Sequence, residues 1–245
     1  MEIHAVNHGC LFHVHLGLVP YEKALQVQEQ ICGIQEQNRC PDMLLTLQHP
    51  PVITIGTSGG SGDLRTDETE LRGKNIPIVY VKRGGKATYH GPGQFVAYPL
   101  IGLRSLSCSP RRYVDVLETT ILRVLELWGL SGTTVPGHPG AWIENRKIAS
   151  IGIRLRRGRT MHGLSVNLDP DLDAFSYLIP CGMPDMIVTS IRREIGHSPS
   201  ADQFCHPFAE TLAQELNLSL FSMDATGWEN ILGQFDSPES ESTTD

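Results

Sequence analysis

The segment YLIPCGMPD, residues 177–185, places a single cysteine, Cys181, between a proline and a glycine. Two prolines and a glycine within nine residues interrupt both helices and central strands, so a loop is predicted here. Pro180 restricts the backbone before the thiol, and Gly182 is expected to leave its own N–H open to a bound oxygen. A thiol beside an open N–H suits a nucleophile with an oxyanion site, which makes Cys181 the candidate nucleophile.

Of the six cysteines, only Cys181 is predicted to be presented to a ligand, and packing as a small apolar side chain is the ordinary explanation for Cys32 and Cys205. Cys32 falls within a predicted helix, Cys205 lies near the start of another, and Cys108 is in a serine-rich turn. No two cysteines have the CxxC spacing, so the sequence indicates neither zinc binding nor disulfide exchange. The chain begins MEIHAVNHGC, without a basic start and an apolar core, so we expect no secretion signal and reduced thiols.

A second candidate, Lys147, begins the apolar segment KIASIGIR. A lysine at the corner of a hairpin is ordinarily a solvated charge, and this interpretation stays open from the sequence. The alternative gives Lys147 a thiol as its partner. A lysine ammonium beside a cysteine favours the thiolate, and the neutral amine left after proton transfer can act as a base.

A third candidate is the glycine-rich segment RGGKATYHGPGQ, residues 83–94, which follows a predicted buried strand. Its four glycines allow sharp turns and let a ligand approach backbone N–H groups. It is neither a Walker loop nor a dinucleotide fingerprint, because no GKS/T sequence follows and no helix begins at its end. The alternative is a long hairpin loop in which Tyr89 and His90 merely fill space.

The ten histidines raise the question of a metal site. His13 and His15 would share one strand face, but no other Cys/His pair has zinc-ligand spacing, so no metal site is predicted. His90 and His162 are each followed by glycine and are candidates for orienting a substrate carbonyl. A papain-like Cys/His pair is conceivable, but none of the protease signatures surrounds Cys181.

The charge distribution limits the choice of partner. A formal net charge of −7 argues against nucleic acid, since phosphate binding depends on clustered lysine and arginine. Basic residues nevertheless cluster in IRLRRGR, residues 153–159, and in KRGGK, residues 82–86. These clusters form either solvated faces or a surface for an acidic partner or a phosphate group.

The elements that must position these candidates combine strand and helix patterns. Helices are predicted from Pro20, from Ser109 before Pro110, and from Ser200, whose spacing to Gln203 is that of a capping box. LFHVHLG, MLLTLQH, VITIG, IPIVYV and FVAYPL are predicted strands, the fourth of them buried. AWIEN, KIASIGIRLRR and TMHGLSVNL are predicted to form an antiparallel meander. The fold class predicted is α+β, with a mixed β-sheet covered by helices.

The domain organisation predicted is one domain over residues 1–234 and an acidic disordered tail over residues 235–245, FDSPESESTTD. A chain with 40% apolar and 19% charged residues is typical of a globular protein. No apolar run approaches membrane-spanning length, so we expect no membrane association and a location in a cytosol or an organelle matrix.

Three motifs occur in a recognisable order: RGGKATYHGPGQ, then RKIASIGIR with TMHGLSVNL, then IPCGM. Together they resemble the lipoyl(octanoyl) transferase family, over a region from about Pro20 to Ile195. The resemblance implies the mixed-sheet fold of biotin and lipoate protein ligases. It also implies that Cys181 is the acyl-thioester nucleophile and Lys147 its partner. The acyl-binding residues implied are Arg83, Gly84, Gly85, Lys86, Ala87, Thr88, Tyr89, His90, Ser150, Ile151, Gly152, Gly163, Leu164 and Ser165.

The resemblance further implies an activity and its partners. An octanoyl group would move from octanoyl-acyl carrier protein to a lysine of lipoyl domains in 2-oxoacid dehydrogenases, or of the glycine-cleavage H protein, without a cofactor. The protein is expected to act as a monomer, and Arg154, Arg156 or Lys82 to dock the acidic carrier protein.

Three other functions stay open at this point. An ATP-dependent lipoate or biotin protein ligase would form an adenylate and would not need a nucleophilic cysteine. A non-catalytic relative would only bind lipoyl domains, and the presence of both Lys147 and Cys181 counts against it. A cysteine hydrolase would release free octanoate.

Overall fold

The computed structural model describes residues 9–37 and 40–223. The helices are α1 (Tyr21–Glu36), α2 (Glu68–Gly73), α3 (Pro110–Leu127), α4 (Ile191–Ile195) and α5 (Ala201–Glu215). The strands are β1 (Cys10–Leu18), β2 (Asp42–Gln48), β3 (Val52–Ile55), β4 (Ile78–Tyr80), β5 (Ala87–His90), β6 (Gln94–Leu100), β7 (Gly140–Ile143), β8 (Arg146–Arg156), β9 (Arg159–Asn167), β10 (Ile187–Val188) and β11 (Ser219–Met223).

The strands form two sheets. The main sheet has the order β10-β8-β9-β6-β2-β1-β11, with β7 also paired to β8. It is mixed, because β1 runs parallel to β2 and β11 while β2, β6, β9 and β8 pair antiparallel in turn. The small sheet has the order β4-β3-β5. The predicted α+β class and the meander of β7, β8 and β9 are therefore confirmed.

Helices cover the two faces of the main sheet, and the alternation of side chains along each strand explains why. On β6, Phe95 and Ala97 face a core shared with α3 and α5. Val96 and Tyr98 face the opposite core, which α1 closes. Burying both faces stabilises the sheet at roughly 25 cal/mol per Å² of apolar surface removed from water.

Helix ends follow the predicted capping chemistry. The Ser109 side chain accepts a hydrogen bond from the Arg112 N–H at the start of α3, where Pro110 occupies the first helical position. Ser200 and Gln203 form the capping box of α5. These caps satisfy N–H groups that have no partner within the helix.

Two local predictions were wrong, and one short helix was missed. IPIVYV is not a buried strand, because β4 spans only three residues at the edge of the small sheet and Tyr80 is exposed. Residues 87–90 of the glycine-rich segment form a strand rather than a loop. Helix α2 was not predicted, since its six residues are too short for a helical period to appear.

The remaining sequence predictions concern metals, membranes and the tail. Within residues 9–37 and 40–223, no His, Cys, Asp or Glu cluster is arranged to hold a metal ion. His13 instead lies 2.9 Å from the Thr46 hydroxyl on the neighbouring strand. None of the described helices combines the length and apolar character needed to cross a bilayer. The predicted tail, residues 235–245, lies outside the described residues.

Candidate active site

A cavity lies between the α1 side of the main sheet and the small sheet, where β8, β9, β5 and the loop before β5 meet. Of the sixteen residues implied by the motifs, fifteen line this cavity, including both Cys181 and Lys147. His162 lines it as well. Segments distant in sequence therefore contribute to one site.

Tyr89 is the one implied residue that does not line the cavity. Its ring is buried in the core beneath the small sheet and meets Phe175 edge-on, with ring centroids 5.6 Å apart. Successive side chains of a strand point to opposite faces, so Tyr89 and its neighbour His90 face different ways. Tyr89 therefore packs in the core on the side of β5 that faces away from the cavity.

Cys181 sits in a single 3₁₀ turn, Pro180–Gly182, with its backbone in the left-handed region at φ 53° and ψ 17°. This conformation costs a non-glycine residue of order 1 kcal/mol or more and is found disproportionately at functional sites. Gly182 is also left-handed, with φ 72°. The two residues turn the chain so sharply that the thiol is presented at the cavity while Pro180 stays buried.

The turn is tied to the rest of the site. Lys86 lies so close that a Cβ added at Gly182 would be 2.4 Å from its Cδ. The Lys86 ammonium pairs with Asp63 at 3.7 Å, and the Asp63 carbonyl accepts a hydrogen bond from the Ile179 N–H at 2.7 Å. Asp63 therefore fixes both the lysine over the turn and the backbone just before the turn.

The predicted open N–H of Gly182 is not open. It donates to the Ile179 carbonyl at 3.1 Å, and the next N–H, of Met183, donates to Pro180 at 3.0 Å. Both bonds close the tight turn that holds Cys181. An oxyanion at the thioester carbon must therefore be stabilised by another group in the cavity.

Lys147 is only 2% exposed, so the interpretation as a solvated charge is wrong. Its Nζ donates to the carbonyl of Pro139 at 2.9 Å and to that of His138 at 3.3 Å, and it lies 4.6 Å from the ring centroid of Trp142. An ammonium has three N–H donors, so one is left for a substrate or a thiolate. Burial lowers the pKa of Lys147, and the negative charges of Cys181 and Glu118 oppose that shift.

Arg83 shapes the glycine-rich loop. It is 8% exposed, and its guanidinium donates to the carbonyl of Thr54 at 2.8 Å, to that of Gly84 at 3.0 Å and to that of Lys86 at 2.8 Å. The Gly84 N–H in turn donates to the Ile153 carbonyl of β8 at 2.9 Å. Arg83 thus holds the loop against the strand that carries Lys147, and most of its donors are used within the protein.

A chain of hydrogen bonds determines which nitrogen of His90 carries the proton. Asn167 Nδ2 donates to the Thr189 carbonyl at 2.9 Å, so its Oδ1 is the acceptor that receives Gln94 Nε2 at 2.9 Å. Gln94 Nε2 also donates to the Tyr89 carbonyl at 3.2 Å. Gln94 Oε1 is therefore an acceptor, and the His90 Nδ1 that it meets at 2.6 Å is the donor.

The His90 Nε2 is consequently an unprotonated acceptor. Burial, with a smaller contribution from His49, lowers the pKa of His90 to about 3, so the ring is neutral near pH 7. An unprotonated nitrogen cannot donate to a carbonyl oxygen. The expectation that His90 orients a substrate carbonyl is incompatible with this tautomer.

His162 has a different environment at the same cavity. Its backbone is left-handed, with φ 57°, and its N–H donates to Gln28 Oε1 at 2.8 Å. Nδ1 lies 3.4 Å from the Tyr21 hydroxyl, and the buried Nε2 has no partner among the described residues. Burial lowers the pKa of His162 to about 4, which keeps this ring neutral too.

Several lining residues were missed by sequence reasoning. Tyr21 and Tyr98 belong to predicted elements but carried no local signal, and the carbonyls of His138 and Pro139 that hold Lys147 belong to an irregular segment. Every residue has a backbone carbonyl, so residue types do not indicate which carbonyls bind a side chain. Only the pairing of β7 with β8 reveals that residues 138–139 meet Lys147.

Residues 20–213 match the lipoyl protein ligase A/B catalytic domain. The mitochondrial octanoyltransferase LIP2 of Arabidopsis thaliana is 37% identical over 214 residues, 87% of this chain and 89% of the relative. The octanoyltransferase of Chloroflexus aurantiacus is 37% identical over 216 residues, 85% of this chain and 97% of the relative. A structure of the bi-partite lipoate protein ligase and its E2 lipoyl domain from Thermoplasma acidophilum shares the fold, with a TM-score of 0.69 over 93% of both chains at 15% identity.

The fold is therefore that of the lipoyl protein ligase A/B catalytic domains, as predicted. Within this class the chain belongs to the octanoyltransferase family, because its relatives match it along most of their own length. Members of this family are acyltransferases, and so is this protein.

Proposed function

We propose that this protein transfers an octanoyl group from octanoyl-acyl carrier protein to a lysine of lipoyl domains, through a thioester on Cys181. The observation that carries the proposal is that a presented cysteine and a buried lysine line one cavity in an octanoyltransferase family member. The acceptors proposed include the lipoyl domains of 2-oxoacid dehydrogenases and the glycine-cleavage H protein.

In the first half-reaction the Cys181 thiolate attacks the thioester carbonyl of the donor. A carbon–sulfur bond to Cys181 forms, and the bond to the carrier's sulfur breaks. The leaving thiolate takes a proton from the Lys147 ammonium, which the lowered pKa of Lys147 favours. One thioester replaces another, so no energy source such as ATP is needed.

In the second half-reaction the neutral amine of the acceptor lysine attacks the octanoyl-enzyme. A carbon–nitrogen bond forms, the bond to Cys181 Sγ breaks, and the amine's surplus proton passes to Lys147. The enzyme returns with a thiolate and an ammonium, ready for the next donor. In the first step the free third N–H of the Lys147 ammonium is also a candidate donor to the oxyanion, whereas in the second step Lys147 begins as a neutral amine whose lone pair takes the proton.

Intact-protein mass spectrometry tests the proposal. We expect wild-type protein mixed with octanoyl-acyl carrier protein, without ATP and without acceptor, to gain one octanoyl group that hydroxylamine removes. Cys181→Ala should gain none, whereas Cys108→Ala should behave as wild type because that half-buried thiol does not line the cavity. An octanoylated Cys181→Ala protein, or no adduct on the wild type, would refute the covalent route and return attention to an adenylate-forming ligase.

Docking of the acidic carrier protein is expected to use Lys82. Lys82 is exposed beside the loop that lines the cavity, whereas Arg156 already pairs with Glu36 at 2.9 Å. Lys82→Glu should lower kcat/KM for octanoyl-acyl carrier protein several-fold and weaken its decrease with rising salt. Arg111→Glu, on α3 at the other face of the sheet, is the control, and equal effects of both variants would argue against docking at Lys82.

A further inference from the structure

The ring of His90, with Nε2 as its acceptor nitrogen, is held in place by a polar network that ends at β8, the strand that carries Lys147. The chain of bonds runs from His90 through Gln94 and Asn167 to Thr189. The Thr189 N–H then donates to the carbonyl of Lys147 at 2.9 Å. His90 and Lys147 therefore share one framework, and both line the same cavity.

Because His90 Nε2 is an unprotonated acceptor, it can bind only a group that donates a hydrogen bond. The octanoyl chain has no donor, and the thioester carbonyl is itself an acceptor, so neither can bind His90 Nε2. Among the described side chains, the hydrogen-bond partner of His90 is Gln94, which meets Nδ1 and not Nε2. In the proposed reaction, a group that brings N–H donors to the thioester is the amine of the acceptor lysine.

We propose that His90 is a further catalytic residue, whose Nε2 accepts a hydrogen bond from the attacking lysine amine and directs the nitrogen lone pair at the thioester carbon. Gln94 and Asn167 are positioning residues that fix the tautomer. The inference rests on the proposed function. His90 takes no proton in the step, since the amine's surplus proton passes to Lys147 as the carbon–sulfur bond breaks.

The surroundings of His90 keep it in the acceptor form. The groups that face it are the rings of His49 and Tyr21, the side chain of Gln94, and the more distant Arg83 and His162. None of these is a carboxylate that would favour an imidazolium. The acceptor is therefore available throughout the pH range in which the lysine amine reacts.

Separate measurement of the two half-reactions tests the proposal. Octanoyl-enzyme is isolated, and single-turnover transfer to a lipoyl domain is measured for wild type, His90→Leu and His90→Gln. We expect His90→Leu to slow transfer about 10-fold, the equivalent of one lost hydrogen bond, with acylation of Cys181 changed less than 3-fold. His90→Gln carries an acceptor oxygen and should recover part of the rate.

The outcomes distinguish this inference from its premise. If acylation slows as much as transfer, Nε2 binds the donor's amide or supports the fold, and the role proposed for His90 is wrong. If wild type forms no octanoyl-enzyme, the proposed function fails before His90 is tested. Melting temperatures identify any variant that has lost its fold.

A second measurement addresses the tautomer directly. Long-range ¹H–¹⁵N correlation spectra of histidine-labelled protein should show His90 protonated at Nδ1 only. Gln94→Glu places a carboxylate on Nδ1, favours the imidazolium and turns Nε2 into a donor, so transfer should lose rate at low pH with a new inflection. A wild-type spectrum with Nε2 protonated, or an unchanged pH profile in Gln94→Glu, would overturn the proposal.

Discussion

Replacement of Lys147 by methionine is expected to lower kcat for octanoyl transfer by about 10² to 10⁴-fold, the range typical of a general acid–base group. Methionine keeps an unbranched apolar chain but removes the ammonium that lies over the Trp142 ring, and with it the N–H donors and the transferable proton. Both half-reactions should slow, because the same group protonates the leaving thiolate and takes the amine's proton. Single-turnover kinetics of acylation and of transfer would measure each effect.

A structural effect of the Lys147 substitution can be separated from the chemical one. Methionine removes the desolvation cost of the buried ammonium, the main cause of its lowered pKa, but leaves the His138 and Pro139 carbonyls without their donor, so the two effects oppose each other and we expect a small change in the free energy of unfolding. Lys23→Met, at an exposed position on α1, is the matched control and should keep full activity. A Lys147→Met enzyme that retained more than a tenth of the wild-type rate would exclude the proton-transfer role.

The sequence could suggest the proposed pair of Cys181 and Lys147, but not the surroundings of these two residues. Cys181 could be singled out because proline and glycine flank it, and that local pattern does produce the left-handed turn. Lys147 could not be distinguished from a solvated lysine. Its burial depends on carbonyls of residues 138–139, which only the pairing of β7 with β8 brings close.

The tautomer of His90 could not be predicted from the sequence either, because it depends on a contact between distant strands. Gln94 and Asn167 lie 73 positions apart and meet because β6 and β9 pair antiparallel with these two residues in register. Register between distant strands is a property of the whole sheet, and a change of one residue would point each side chain to the opposite face. Periodicity within each strand predicted the strands correctly and still carried no information about this contact.

The stability of the fold is expected to fall steeply between pH 6.5 and pH 4. Four buried histidines have lowered pKa values: about 4 for His13, His49 and His162, and about 3 for His90. Burial is the main cause in each case, because desolvation disfavours the charged ring. In the unfolded chain the histidines have their ordinary pKa and are protonated at a pH at which they are still neutral in the folded protein, so acid favours unfolding.

The size of this acid effect follows from linkage. Well above pH 6.5 neither state holds these protons and the stability is complete. As the pH falls toward 4, the unfolded state binds up to four more protons than the folded state. At 1.36 kcal/mol per proton and pH unit, the free energy of unfolding should decrease by about 5 kcal/mol per unit near pH 5. A loss on that scale approaches the whole stability of a typical domain, so we expect unfolding near pH 5 at room temperature.

Urea unfolding at several pH values, followed by circular dichroism, gives the free energy of unfolding as a function of pH, and the slope of this curve gives the number of protons bound on unfolding. His13→Gln should reduce that number by about one, because glutamine does not titrate. The variant should still fold, because the Thr46 hydroxyl and the Cys205 thiol that contact His13 can also bond an uncharged amide. His197→Gln, at an exposed ring, is the control. A slope of one proton or less in the wild type would mean that the buried rings accept protons in the folded state. The neutral His90 on which amine orientation depends would then exist only over a narrower pH range.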